Sequence, residues 1–289
     1  MQPEVLAFFH SLTNTVTYLV WDAETKAAVI IDPVLDFTAA SGKVSTDSVH
    51  RVLTAARDRG LKVEWVLETH VHADHLSAAD HIRKLTGTPV AIGSGILEVQ
   101  RTFGPMLGIE DMKAGAGDFD RLLADGESFP LGRLTVEVMH TPGHTPACVT
   151  YRIGDSAFVG DTLFMPDFGT ARADFPGGSA RTLYRSIRRI LDLPPSTRIY
   201  VGHDYLPKDA NGNGRKEFAW TTSVEAERAS NVHVGAGRSE DEFVAMREAR
   251  DATLPPPGLL MHALQCNVRA GALPPRDADG RRFLKIPVV

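Results

Sequence analysis

The chain has 289 residues, 43% hydrophobic and 23% charged, with a formal net charge of −5. This is ordinary globular composition, long enough to bury a large core in one domain, and the acidic balance offers no attraction for nucleic acid or an anionic membrane. No apolar run approaches the roughly 18 residues of a membrane-spanning helix, Met1-Gln2-Pro3-Glu4 has no cationic leader character, and Cys148 and Cys266 form no zinc-finger or CxxC spacing. The expectations are a cytoplasmic location and two cysteines that serve as buried small hydrophobes.

Along the chain, Val16 to Val20 and Ala27 to Ile31 flank a polar turn from Asp22 to Lys26, which predicts a β-hairpin. Val49, Val52, Leu53 and Ala56 recur at helical spacing and stop at Gly60, after which Val63 to Leu67 predicts a buried strand. Ala78 to Leu85 reads as helix and Pro89 to Ile92 as extended chain. Ile96 to Asp125, punctuated by Gly104, Gly108, Gly115 and Gly117, predicts an irregular surface excursion. Leu134 to Val138 alternates as a half-buried strand does, and Cys148 to Ile153 and Ala157 to Val159 predict two more. A helix through Leu183, Ile187, Ile190 and Leu191 precedes a strand from Arg198 to Val201, and Arg181, Arg185, Arg188 and Arg189 fit its polar face. Ser239 and Glu242 form a capping-box pair, and Pro255-Pro256-Pro257 ends the segment that follows. Strand clusters separated by helices indicate a layered α/β protein.

The chemistry concentrates in Thr69-His70-Val71-His72-Ala73-Asp74-His75, which follows a predicted strand. His70, His72, Asp74 and His75 can aim imidazoles and a carboxylate into one cleft. Such a window arises by chance on the order of 10⁻³ times in a chain of this length. Three more donors, His144, Asp161 and His203, sit at later strand ends, each directly after a glycine, as close backbone approach requires. Seven imidazole and carboxylate donors suit zinc, iron or manganese. Asp209, Asn211, Asn213 and Gly214 imitate the start of a calcium loop, but Trp220 stands where that loop needs Glu. His10, His50, His81, His140, His233 and His262 have no motif context and read as structural or exposed.

The ordered set His70, His72, Asp74, His75, His144, Asp161 and His203 resembles the metallo-β-lactamase superfamily, which implies an αββα sandwich. Arg172-Ala173-Asp174-Phe175, His203-Asp204-Tyr205 and Asn267-Val268-Arg269-Ala270-Gly271 resemble, more narrowly, glutathione-dependent persulfide dioxygenases of the bacterial β-lactamase-like-hydrolase subgroup. That resemblance runs over nearly the whole chain and implies one domain, 1–289, with the part after about 205 contributing to a substrate pocket. It implies one Fe(II) per chain on His70, His144 and Asp161, with His72, Asp74, His75 and His203 around them. It also implies glutathione persulfide and O₂ as reactants, and substrate contacts by Arg172, Tyr205, Asn267 and Arg269, with Arg172 on a glutathione carboxylate. A homodimer is compatible with it, and the sequence does not fix the oligomeric state. Ala171 departs from the family's usual glycine, and Cys266 does not align with a cysteine of some relatives.

The seven donors also fit two metals, zinc among them, in a thioester hydrolase of glyoxalase II type. The flanking segments favour the dioxygenase. A non-catalytic metal-binding or redox-sensing module is the third class, and seven donors exceed what a closed four-ligand structural site needs.

Overall fold

The computed structural model describes residues 2–109, 112–115, 117–207 and 212–288. In chain order the first half runs β1 (Glu4–His10), β2 (Thr15–Trp21), β3 (Ala27–Ile31), β4 (Val34–Thr38), β5 (Lys43–Ser45), α1 (Asp47–Asp58), β6 (Lys62–Glu68), β7 (Leu76–Ser77), α2 (Ala79–Thr86), β8 (Val90–Gly93), α3 (Ile96–Met106) and β9 (Arg121–Leu123). The second half runs β10 (Ser128–Leu131), β11 (Leu134–His140), β12 (Val149–Ile153), β13 (Ser156–Gly160), α4 (Ala180–Leu191), β14 (Arg198–Val201), β15 (Thr221–Ser223), α5 (Val224–Ser230), α6 (Glu240–Asp251) and α7 (Leu260–Asn267). No described helix is long and apolar enough to cross a membrane.

Two six-stranded sheets form, ordered β1-β2-β3-β6-β8-β9 and β10-β11-β12-β13-β14-β15. Strand alternation decides which side chains meet. In β2, Val16, Tyr18 and Val20 face inward against Val136, Tyr151 and Phe158 of the other sheet, while Leu19 faces outward to the α1 and α2 side. Outside the first sheet, Val49, Val52 and Ala56 of α1 and Ile82 of α2 cover Ile30, Val66 and Ile92. Outside the second, Leu183, Ile187 and Ile190 of α4 and Phe243 of α6 cover Val159, Ile199 and Val201. This is the αββα sandwich, and each fully buried aliphatic side chain in it contributes about 1.5–3 kcal/mol against the entropy of ordering the chain.

The hairpin is present with β2 antiparallel to β3, and the capping box of Ser239 and Glu242 starts α6. Both cysteines are buried, and burial pushes their thiols up to about 12, so they pack rather than react. Ile96 to Asp125 corrects the predicted excursion, because α3 and β9 lie within it. Ile96, Val99 and Phe103 carry the helical spacing into the core, and Gly104 and Pro105 in the last turn masked it. Glu110, Asp111 and Ala116 of this stretch, and Asp209 and Asn211 of the calcium-loop imitation, lie outside the described residues. The arginine face of α4 is partnered across elements: Arg181 and Arg185 pair with Glu240 at the start of α6, and Arg189 with Asp125.

Both sheets release their functional loops at one edge. Residues 69–75 follow β6, His144 lies between β11 and β12, and Asp161 and His203 follow β13 and β14. Val16 N–H donates to Gly202 C=O at 2.8 Å, tying the two sheets together at that edge.

Candidate metal centre and the cleft beside it

The site begins with an aspartate the sequence did not single out. Asp32 directly follows β3 with φ +51°, a left-handed conformation that Asp tolerates better than most side chains. Its carboxylate accepts Thr69 N–H at 2.7 Å and Thr69 Oγ1–H at 2.8 Å, which locks the ends of two neighbouring parallel strands. The Thr69 hydroxyl has given its hydrogen to Asp32, so it accepts from His70 Nδ1–H at 3.0 Å. Neutral His70 therefore presents a bare Nε2, which is buried without a hydrogen-bond partner.

His144 is set the same way by a different device. Its Nδ1–H donates to the Arg172 carbonyl at 2.8 Å, and a carbonyl can only accept, so Nε2 is again the bare nitrogen. Asp161 Oδ2 lies 3.8 Å from His70 Nε2 and 3.9 Å from His144 Nε2, and the three donor atoms all fall within 4.8 Å of one another. Gly143, at φ +132°, and Gly160, at φ +51°, permit this approach. A Cβ on Gly143 would lie 2.2 Å from Leu183 N, and one on Gly160 would lie 2.4 Å from Thr69 Oγ1.

His72, Asp74, His75 and His203 form a second group of donors within 4.8 Å. Asp74 Oδ2 is 3.4 Å from both His75 Nδ1 and His203 Nε2, and Asp161 Oδ1 is 3.4 Å from His203 Nε2, so Asp161 stands between the groups. His72 belongs to a third cluster as well. Its Nε2 lies 3.1 Å from Asp32 Oδ1 and 3.2 Å from Glu68 Oε2, all three side chains being buried. Burial alone would lower the His72 pKa, but Asp32 and Glu68 outweigh it and hold the imidazole well above its usual value. Burial raises Glu68 to about 7.

His70 and His75 go the opposite way. Burial, with His72 and His144 beside it, holds His70 well below its usual value, and burial with His72 lowers His75 to about 4. Burial raises Asp161 despite the histidines around it. The buried, unpartnered ring nitrogens of His70, His75 and His203 near the Asp161 carboxylate fit a divalent transition cation, which would satisfy those orphaned atoms together.

Beside Asp161 and His144 opens a cleft of about 190 Å³. One wall is aromatic: Tyr205 stacks on His203 with ring centroids 5.5 Å apart, and Phe164 and Phe168 pack against Tyr205. The opposite side carries Arg172, Arg247, Arg250, Leu254 and Pro257. Arg172 is already engaged, holding Asp174 through two bonds of 2.6 Å and Pro255 C=O at 2.7 Å. Arg247 is committed to Asp251 and to Thr170 C=O. Asp251 also accepts Ala173 N–H, so α6 fixes the loop that carries Arg172. Among the described residues, the Arg250 guanidinium has no partner.

Of the expected substrate residues, Arg172 and Tyr205 line this cleft, and Asn267 and Arg269 do not. Asn267 is buried and occupied: its amide donates to His72 C=O and His75 C=O, both at 2.8 Å, and accepts Ser77 N–H at 2.8 Å. It splints the loop that carries the donors. Arg269 instead lines a separate cavity of about 430 Å³ with Leu107, Gln265 and Phe283. Asp204 likewise proves structural, its carboxylate bound by Arg215 and by Ala219 N–H.

Comparisons with known proteins agree with this geometry. A beta-lactamase hydrolase-like protein of Xylella fastidiosa (strain Temecula1) is 49% identical over 99% of this chain, which spans 65% of that protein's length. Glyoxylase B2 of Dictyostelium discoideum is 44% identical over 93% of this chain and 91% of its own length. The human mitochondrial persulfide dioxygenase ETHE1 is 32% identical over 92% and 88% respectively. The crystal structure of ETHE1 from Myxococcus xanthus covers 94% of this chain and 100% of its own at a TM-score of 0.73 and 32% identity. The Metallo-beta-lactamase superfamily pattern matches residues 11–203, a span that holds all seven donors from His70 to His203. The chain therefore belongs to the metallo-beta-lactamase superfamily.

Proposed function

We propose that this enzyme is a persulfide dioxygenase, one domain that holds a single Fe(II) on His70, His144 and Asp161 and acts in the cytoplasm. It oxidises glutathione persulfide with O₂ and water to sulfite and glutathione, the terminal sulfur being oxidised and O₂ reduced. The observation that supports this reading is the group formed by His70, His144 and Asp161, whose donor atoms all lie within 4.8 Å of one another: two histidines and one carboxylate, the donor set that suits non-haem iron with open positions. Relatives named persulfide dioxygenase support the substrate.

Iron, when bound, supplies the redox chemistry that joins O₂ to a sulfur anion. The chain's own residues do the rest. Thr69 and the Arg172 carbonyl orient the His70 and His144 rings, and His203, which also faces Asp74, approaches the carboxylate of Asp161. Phe164, Phe168 and Tyr205 line the approach with largely apolar surface. A second reading, a dinuclear thioester hydrolase, is favoured by Asp161 standing within reach of both donor groups and by the Dictyostelium relative's name. Metal analysis with an oxygen electrode separates them. The dioxygenase reading expects one iron per chain and O₂ uptake on glutathione persulfide. Two metals at the centre, thioester hydrolysis and no O₂ uptake overturn it.

Arg250, whose charge is uncompensated in the cleft, is the group we assign to a glutathione carboxylate, and Arg172 the strap that shapes the wall. Arg250→Ala should raise KM for glutathione persulfide roughly five- to tenfold, between an exposed ion pair and a charge-assisted hydrogen bond, with kcat little changed. On a small alkyl persulfide without carboxylates, variant and wild type should match. An equal loss on both substrates would move Arg250 out of substrate binding.

A further inference from the structure

His50 on α1 and His81 on α2, which the sequence leaves without motif context, approach each other nitrogen to nitrogen. Their Nε2 atoms are 3.4 Å apart, with ring centroids at 5.4 Å and ring planes inclined by 54°. We infer that these two rings form a second, surface metal site that takes a divalent transition cation of the Cu²⁺, Ni²⁺ or Zn²⁺ class and clamps α1 to α2.

The separation carries the inference. Two imidazole bonds of about 2.0–2.1 Å place their nitrogens about 3.3–3.4 Å apart at a tetrahedral metal and about 2.9 Å apart at the right angle of a tetragonal one, so the pair matches the first and reaches the second by a shift of about 0.5 Å. As an imidazole–imidazole hydrogen bond the pair's separation is long. Burial and the neighbouring His50 both lower the His81 pKa, which favours its neutral, ligating form.

Nearby carboxylates do not compete for the rings: Asp80 is held by Arg83 and Lys84, and Asp47 accepts from Ser45 Oγ. His50 is exposed, so water completes the coordination. Imidazole with water selects copper, nickel or zinc over magnesium or calcium. Both helices rest on the same outer face of the first sheet, and neither ring belongs to the donor groups around Asp161.

The site has a practical consequence for metal counting. A second equivalent of metal on the wild-type chain does not by itself make the centre at Asp161 dinuclear.

The test uses untagged protein carrying its resident metal, freed of excess and given one equivalent of Cu²⁺. Electron paramagnetic resonance should show copper with nitrogen hyperfine structure from imidazole, and the thermal midpoint should rise with added Cu²⁺. His50→Ala and His81→Ala, made separately, should each abolish both effects. Resident metal content and basal activity should not change. Persistence of the copper signal in either variant, or no uptake by the wild type beyond its resident metal, would overturn the two-histidine site.

Discussion

The His144→Ala variant should fold normally, retain no metal at the centre and lose activity by at least about a thousandfold. The ring belongs to a loop between β11 and β12 and to none of the three hydrophobic clusters. Its one hydrogen bond, to the Arg172 carbonyl, contributes about 1 kcal/mol, a small part of a fold's stability. Removing it takes one of three donors from the first group, and the several kcal/mol of transition-state stabilisation that a bound metal gives goes with it. Metal analysis and circular dichroism on the same preparation check the two halves. Full metal content in a folded variant would show that the ligands have been misassigned.

Asp32→Ala should have the opposite profile, with stability lost first. The carboxylate is 2% exposed, takes both hydrogens of Thr69 and sits 3.1 Å from His72 Nε2. Breaking a buried charge pair costs about 3–5 kcal/mol, because His72 and the Thr69 N–H are left without their partner. Alanine at φ +51° adds backbone strain. A fall in thermal midpoint of about 10 °C follows, measured on metal-free protein so that ligation does not enter. Asp32→Asn keeps an acceptor oxygen and tolerates the backbone, so it should recover part of that loss. An Asp32→Ala midpoint unchanged from wild type would remove Asp32 from the account of why the centre is rigid.

The donors were legible because four of them lie within six residues, from His70 to His75, and the remaining three end apolar strands. The architecture was legible because alternation in β2 and β11 and helical spacing in α1 and α4 are local signals. Asp32 and Glu68 were not. Each stands at the end of an apolar strand and looks like an ordinary polar stop, and only the pairing of β3 with β6 reveals that both face His72. The arginines show the same limit. Sequence gives a charge at 172 and another at 250, but whether Asp174 has already claimed the guanidinium depends on a backbone path that spacing does not encode. Asn267 is the extreme case, a residue whose partners at His72 and His75 lie more than 190 positions away.

The donors come from loops of both sheets, and a half-built sandwich offers only a fragment of the centre. A chain with the first sheet alone presents His70, His72, Asp74 and His75, whereas His144, Asp161 and His203 arrive with the second. Such long-range closure is slow relative to local structure, so the complete grip on a metal appears only after the two sheets have met. The full donor set is therefore a property of the finished sandwich, and neither sheet carries it alone.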